Sequence, residues 1–140
     1  MTLEHDFRHM TQSTLSFDLE SIPIFGWLAI ALVFTTGLFH IYAGLVEGRI
    51  PVALAGIGFF AAMGLYLMNY RRRQLYLVGI LYTTIQIPLW YMANAGEFTT
   101  IGYADKTVQV VLIGILAYMY WQTNATTENQ DASSRSEQPY

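Results

Sequence analysis

Three short stretches of this 140-residue sequence set chemically capable side chains among apolar neighbours: His40 in GLFHIYAG, Gln86 in TIQIPLW, and Asp105, Lys106 and Gln109 in DKTVQ. An imidazole titrates near neutrality and offers two nitrogens, a carboxylate accepts hydrogen bonds, an ammonium donates them, and a carboxamide does both. Such groups are expensive inside an apolar segment. They face a bundle interior or a water-filled cavity, and they count first as site candidates. Thr36, His40, Gly44 and Glu47 recur on one helical stripe, and Tyr82 or Thr83, Gln86 and Trp90 on another. Asp105 and Gln109 lie four apart and share a face. The spacing predicts one outward-opening polar pocket of His40, Gln86, Asp105 and Gln109, roofed by Trp90. Two readings of that pocket stand side by side: ligand or proton chemistry, and the fastening of helices by a neutral histidine bonded to Gln86 or to a carboxylate. Asp105 and Lys106 also suit anchors at a membrane surface.

The elements that must position these groups follow from composition. With 54% hydrophobic and 12% charged residues, the chain has more apolar surface than 140 residues can bury in a water-soluble core. The apolar residues fall into blocks of the length that crosses a bilayer, about 20 residues. They predict an all-α fold, a four-transmembrane-helix up-and-down bundle with helices at about 24–46, 50–70, 75–93 and 101–121. The connections EGR and RRRQ are short enough to make consecutive helices antiparallel neighbours. Small residues recur along the second block, from Ala53 to Gly64, and suit close helix packing better than ligand cradling. Pro88 removes an amide hydrogen from the third helix and frees the carbonyl of Thr84, a local defect that helps to line a cavity.

Orientation rests on Arg71, Arg72 and Arg73, which place the second loop and both termini in the cytoplasm by the positive-inside tendency. The predicted layout is a polar N-terminal tail over 1–23, a membrane domain over 24–121 and a disordered tail over 122–140, whose composition is polar. The acidic and polar start lacks the basic segment of a cleavable signal peptide. The chain has no cysteine, which removes disulfides, thiolate metal sites and cysteine nucleophiles. His5 and His9 have helical spacing but no evident further ligand, so no metal site is expected. Haem held by two histidines would need a second intramembrane imidazole, supplied only by a second copy. No triad, phosphate loop or dinucleotide motif is recognisable, and an acidic chain with one arginine cluster does not read as a nucleic-acid binder.

The segments GWLA (26–29), TGLFH (36–40), RRRQLYLVGI (71–80), QIPLW (86–90) and DKTVQV (105–110) resemble those of small, uncharacterised haloarchaeal four-span membrane proteins. The similarity covers roughly residues 24–121. It implies the four-span fold and an archaeal plasma membrane, and carries over no activity, cofactor or catalytic residue. The functional expectation is a non-enzymatic membrane protein, either an accessory subunit or a small-ligand binding module. The alternative is an oligomeric transporter or channel for protons or small solutes. The expected partners are the lipid bilayer and either a membrane protein or further copies of the chain. The non-enzymatic reading is preferred because the polar groups gather at one depth, whereas a conduction path needs them at several.

Overall fold

The computed structural model describes residues 17–136 and is helical throughout its length-spanning elements: α1 (Ile24–Val46), α2 (Ile50–Leu67), α3 (Arg72–Ala93) and α4 (Thr100–Ser136). All four are long and apolar enough to cross a membrane. They form a bundle in which α1 packs on α2 and α4, and α3 packs on α4.

Each boundary has a local cause. Pro51 opens α2, where its missing amide hydrogen is no loss. That helix stops at Leu67, three residues before the predicted 70, because Asn69 and Arg71 take left-handed backbone angles (φ 56° and 40°). α3 then starts at Arg72 instead of 75. A positive charge in a first helical turn is unfavourable to the helix dipole, and Arg72 is offset by bonds elsewhere. Its guanidinium donates to the carbonyl of Tyr66 (3.2 Å), the carbonyl of Asp18 (3.1 Å) and the hydroxyl of Ser21 (2.7 Å). The amide of Asp18 in turn donates to the carbonyl of Leu67 (3.2 Å), so residues 18–22 are strapped across this arginine end of the bundle. The predicted tail thus ends in a built segment. Thr99 caps α4, its hydroxyl accepting from the amide of Gly102 (3.1 Å).

α1 and α2 approach most closely through glycine. A Cβ on Gly56 would lie 2.7 Å from the carbonyl oxygen of Gly37, and one on Gly44 would lie 2.7 Å from the Cα of Ala53. Of the small residues of the second block, Ala53 and Gly56 therefore serve packing against α1, as their spacing predicts, whereas Gly64 meets no neighbour. α2 and α3 behave otherwise. Although only Met68–Arg71 separate them, they diverge and meet chiefly where the Tyr82 hydroxyl donates to the carbonyl of Ala55 (2.9 Å). The short loop makes them neighbours in sequence, but their packing partners are α1 and α4.

Polarity alone predicts disorder from 122, yet α4 continues as helix to Ser136. At about 1.5 Å per residue, 37 residues make roughly 55 Å of helix, well beyond a bilayer core of about 30 Å. A helix closes its own backbone bonds without a packing partner, and here Thr123, Thr126 and Thr127 each return a hydroxyl bond to the carbonyl four residues back.

Candidate functional site: a buried polar chain opening on a chamber

The bundle's interior is apolar at its arginine end, where Phe59, Tyr66, Tyr76, Leu112 and Met119 are buried. Toward the other end it becomes polar. Thr36, Thr83 and Gln109 have no exposed surface, and His40, Gln86, Asp105 and Lys106 are all buried as well. Helical spacing explains the assembly: Thr36 and His40 are one turn apart on α1, Thr83 and Gln86 one turn apart on α3, and Asp105, Lys106 and Gln109 span one turn of α4.

The structure brings the five predicted residues together. Asp105 sits at the junction of α1 and α4. Its Oδ1 accepts from the Thr36 hydroxyl (2.6 Å), its Oδ2 accepts from Lys106 Nζ (2.8 Å), and Oδ2 lies 3.6 Å from His40 Nδ1. Lys106 is also held by Gln109 Oε1 (2.9 Å) and lies 5.7 Å from the centre of the Trp90 ring. Neither Asp105 nor Lys106 is an interface anchor: they are 5% and 9% exposed and neutralise each other inside the protein. Thr36 and Lys106 are the members that sequence reasoning did not assign to the pocket. The signals were present, since Thr36 lies one turn below His40 and Lys106 adjoins Asp105.

Lysine has donors only, and that fixes the direction of every bond beyond it. Because Lys106 donates to Gln109 Oε1, the Gln109 amide nitrogen must point onward, and it donates to Gln86 Oε1 (3.2 Å). Gln86 therefore turns its own amide nitrogen away from Gln109; the atom is buried without a hydrogen bond of good geometry, and the side chain comes within reach of the His40 ring. The histidine is oriented just as firmly. Its Nδ1 lies 2.9 Å from the carbonyl oxygen of Thr36, an acceptor, so Nδ1 carries a proton, and in the neutral ring Nε2 is the acceptor. Phe59 holds the ring edge to face, with centroids 5.5 Å apart.

Gln86 and His40 both line a chamber of about 410 Å³ between the far halves of the helices. The volume is within the range of small-molecule sites, about 300–1,000 Å³. Its walls are mostly aliphatic, with Val46, Val52, Leu89 and Ile101 among them, and Asp105 and Lys106 complete the polar end. Trp90 lines it from α3, held by Phe98 and Tyr103 with ring centroids 5.1 and 5.5 Å away. At the mouth, Arg49 donates to Asn94 Oδ1 (3.2 Å) and pairs with Glu47 (3.3 Å), which ties the α1–α2 loop to the end of α3. Glu47, on the predicted stripe with His40, is thus a rim residue. Among the described residues no group of three or more metal-ligating side chains gathers, and His5 and His9 lie outside them.

Set against known proteins, residues 11–120 match the model of one protein family, described as Family of unknown function (DUF7475). No curated protein and no solved structure matches the chain.

Proposed function

Since the chain belongs to that family of unknown function, the site itself must carry the reading, and we propose that this multi-pass protein is a small-ligand binding module of the membrane. The ligand is a neutral, mostly apolar molecule with a carbonyl-type oxygen at one end. The observation that carries this is the chamber itself, about 410 Å³, mostly aliphatic and with His40, Gln86, Asp105 and Lys106 at one end. The Gln86 amide nitrogen, buried just behind that end without a hydrogen bond of good geometry, costs roughly 1–3 kcal/mol unless a small turn of the side chain lets a ligand oxygen accept from it. His40, whose ring the Gln86 side chain reaches, is a second polar group at the same end. The role is non-enzymatic, as an accessory or carrier protein. A transporter or channel is less well supported, because beyond Gln109 the core continues through Leu112, Leu116 and Met119 with only the hydroxyls of Thr83, Tyr66 and Tyr76 near them and no buried charged group among the described residues.

The proposal includes an archaeal plasma membrane and a cytoplasmic arginine end with both termini. The absence of cysteine makes topology simple to test: a membrane-impermeant maleimide should label Ala95→Cys in intact cells, and Ser134→Cys only after permeabilisation. For the ligand, protein purified in mild detergent is extracted and its small molecules are identified by mass spectrometry. The parent should carry a carbonyl-bearing amphiphile that is lost from Gln86→Leu and from Ala43→Leu, which fills the chamber without touching the polar chain. A parent with no bound molecule, or an identical load in both variants, would refute the reading.

A further inference from the structure

The seams around the polar chamber are closed unequally. α1 meets α2 along Gly37, Gly44 and Gly56, and α1 stays packed on α4, with Thr36 bonded to Asp105 (2.6 Å). α3 meets α4 through Trp90, whose ring lies against Gly102 and Tyr103. α2 and α3 meet at Tyr82, which packs on Phe59 (ring centroids 5.2 Å apart) and donates to the carbonyl of Ala55 (2.9 Å). Their other link is at the far end, where Arg49, just before α2, donates to Oδ1 of Asn94, just after α3 (3.2 Å). Between these two links the chamber is edged by Pro51 and Val52 on α2 and by Leu89 and Ala93 on α3. From Ala55 back to Arg49, α2 rises about 9 Å at about 1.5 Å per residue, so the links stand well apart.

Both helices are candidate membrane spans, so lipid lies outside that gap. Its edges are apolar, and Pro51, Leu89 and Ala93 are exposed on the bundle's surface while they line the chamber. The rim that faces water is built differently. Arg49 pairs with Glu47 (3.3 Å) as well as with Asn94, and Asn94 donates in turn to the carbonyl of Trp90 (2.9 Å). Resting on the small-ligand reading above, we propose that the chamber is loaded sideways from the bilayer. Its ligand is a lipid-soluble molecule of the leaflet away from the arginine loop, it enters between α2 and α3, and the Arg49–Asn94 bond is a clasp over the aqueous mouth. A molecule already dissolved in hydrocarbon keeps its apolar surface out of water along this whole route. Entry from water would part the clasp and wet the aliphatic walls.

The test needs no ligand. The chain lacks cysteine, so Ala43→Cys on the α1 wall of the chamber gives a single thiol. The full chain in phosphatidylcholine nanodiscs is offered either decyl methanethiosulfonate, which dissolves in the bilayer, or the trimethylammonium-ethyl reagent of the same chemistry, which stays in water, and the added mass is followed with time. Ala43→Cys should react with the decyl reagent and at least about tenfold more slowly with the cation, since a charge is costly among apolar walls. Ala95→Cys, in the exposed loop after α3, should take up the cation readily. Arg49→Ala should raise the cation's rate at Ala43→Cys and leave the decyl rate unchanged. Leu89→Trp at the edge of the gap should slow the decyl reagent alone, with Val52→Phe in its place if that variant does not fold. A cation that reacts at Ala43→Cys as fast as the decyl reagent, no decyl reaction there, a cation rate unmoved by Arg49→Ala, or a decyl rate unmoved by the gap-filling variant would each overturn the proposal. Sideways access in a protein that carries no molecule would sink the ligand and keep the route, whereas a bound molecule with access from water would sink the route alone.

Discussion

Removing Lys106 tests whether the polar chain is the structural knot that its geometry describes. Lys106 Nζ is 2.8 Å from Asp105 Oδ2 and the pair is almost wholly shielded from water. Lys106→Met keeps the length and apolar stem of the side chain but leaves a buried carboxylate with only the Thr36 hydroxyl and the His40 ring close by. Breaking one half of a buried pair in this way typically costs about 3–5 kcal/mol, because the remaining charge is uncompensated. For a chain of this size that is a fall on the order of 10 °C in melting temperature. Asp105→Asn combined with Lys106→Met leaves no orphaned charge and retains an acceptor for Thr36, so the double variant should melt above Lys106→Met alone. The measurement is the fraction of monodisperse protein left after heating in detergent, for parent, both single variants and the double. A Lys106→Met variant that melts within about 2 °C of the parent, or a double variant that melts below both singles, would refute the buried-pair argument.

Three further outcomes follow from neighbouring contacts. His40→Leu should lower the melting temperature slightly, because membrane hydrogen bonds average about 0.6 kcal/mol, and His40→Gln should lower it less; a leucine variant that melts above the parent would mean that the ring's bond to Thr36 and its approach to Asp105 contribute nothing. Thr83→Val should be neutral or stabilising in the same assay, since the Thr83 hydroxyl is fully buried with no partner and valine has nearly its shape; clear destabilisation would show that the hydroxyl is in use. Gly56→Leu should disrupt the bundle, because its Cβ would press on the backbone of α1, whereas Gly64→Leu, with nothing within 4 Å, should be tolerated, and similar melting curves for the two would contradict the observed helix contact.

The fold was legible because membrane length and apolarity impose it: a block such as Ile24–Val46 has few alternatives to a spanning helix. The pocket was legible for a related reason. Polar side chains are so costly in these segments that their mere presence at one depth implies mutual contact, as His40, Gln86, Asp105 and Gln109 show. What escaped was anything decided by pairwise packing. Lys106 next to Trp90 has the composition of an interface anchor, and only the fold turns it inward onto Asp105 and Gln109. The parting of α2 from α3 was equally hidden, because loop length sets who follows whom and side-chain fit sets who packs on whom. The continuation of α4 to Ser136 escaped because helical backbone bonding needs no apolar face.

The polar chain also has a fixed direction. A glutamine network has no intrinsic direction, since each amide can turn over and exchange donor for acceptor. A lysine cannot. With Lys106 at one end, Gln109 must donate to Gln86, and Gln86 must turn its amide hydrogens away from Gln109. Asp105 holds the lysine in place, and Thr36 ties Asp105 to α1. The costly buried charges therefore do more than hold helices together: they fix which way the Gln86 amide is turned. A lysine-free version of the chain would let Gln86 turn over and offer its oxygen instead, which reverses the preferred ligand from an acceptor to a donor. Lys106→Met in the Asp105→Asn background, which removes the constraint without stranding a charge, should thus lose the molecule that the parent carries even where it remains folded, and retention of the same molecule would show that the lysine does not set the orientation.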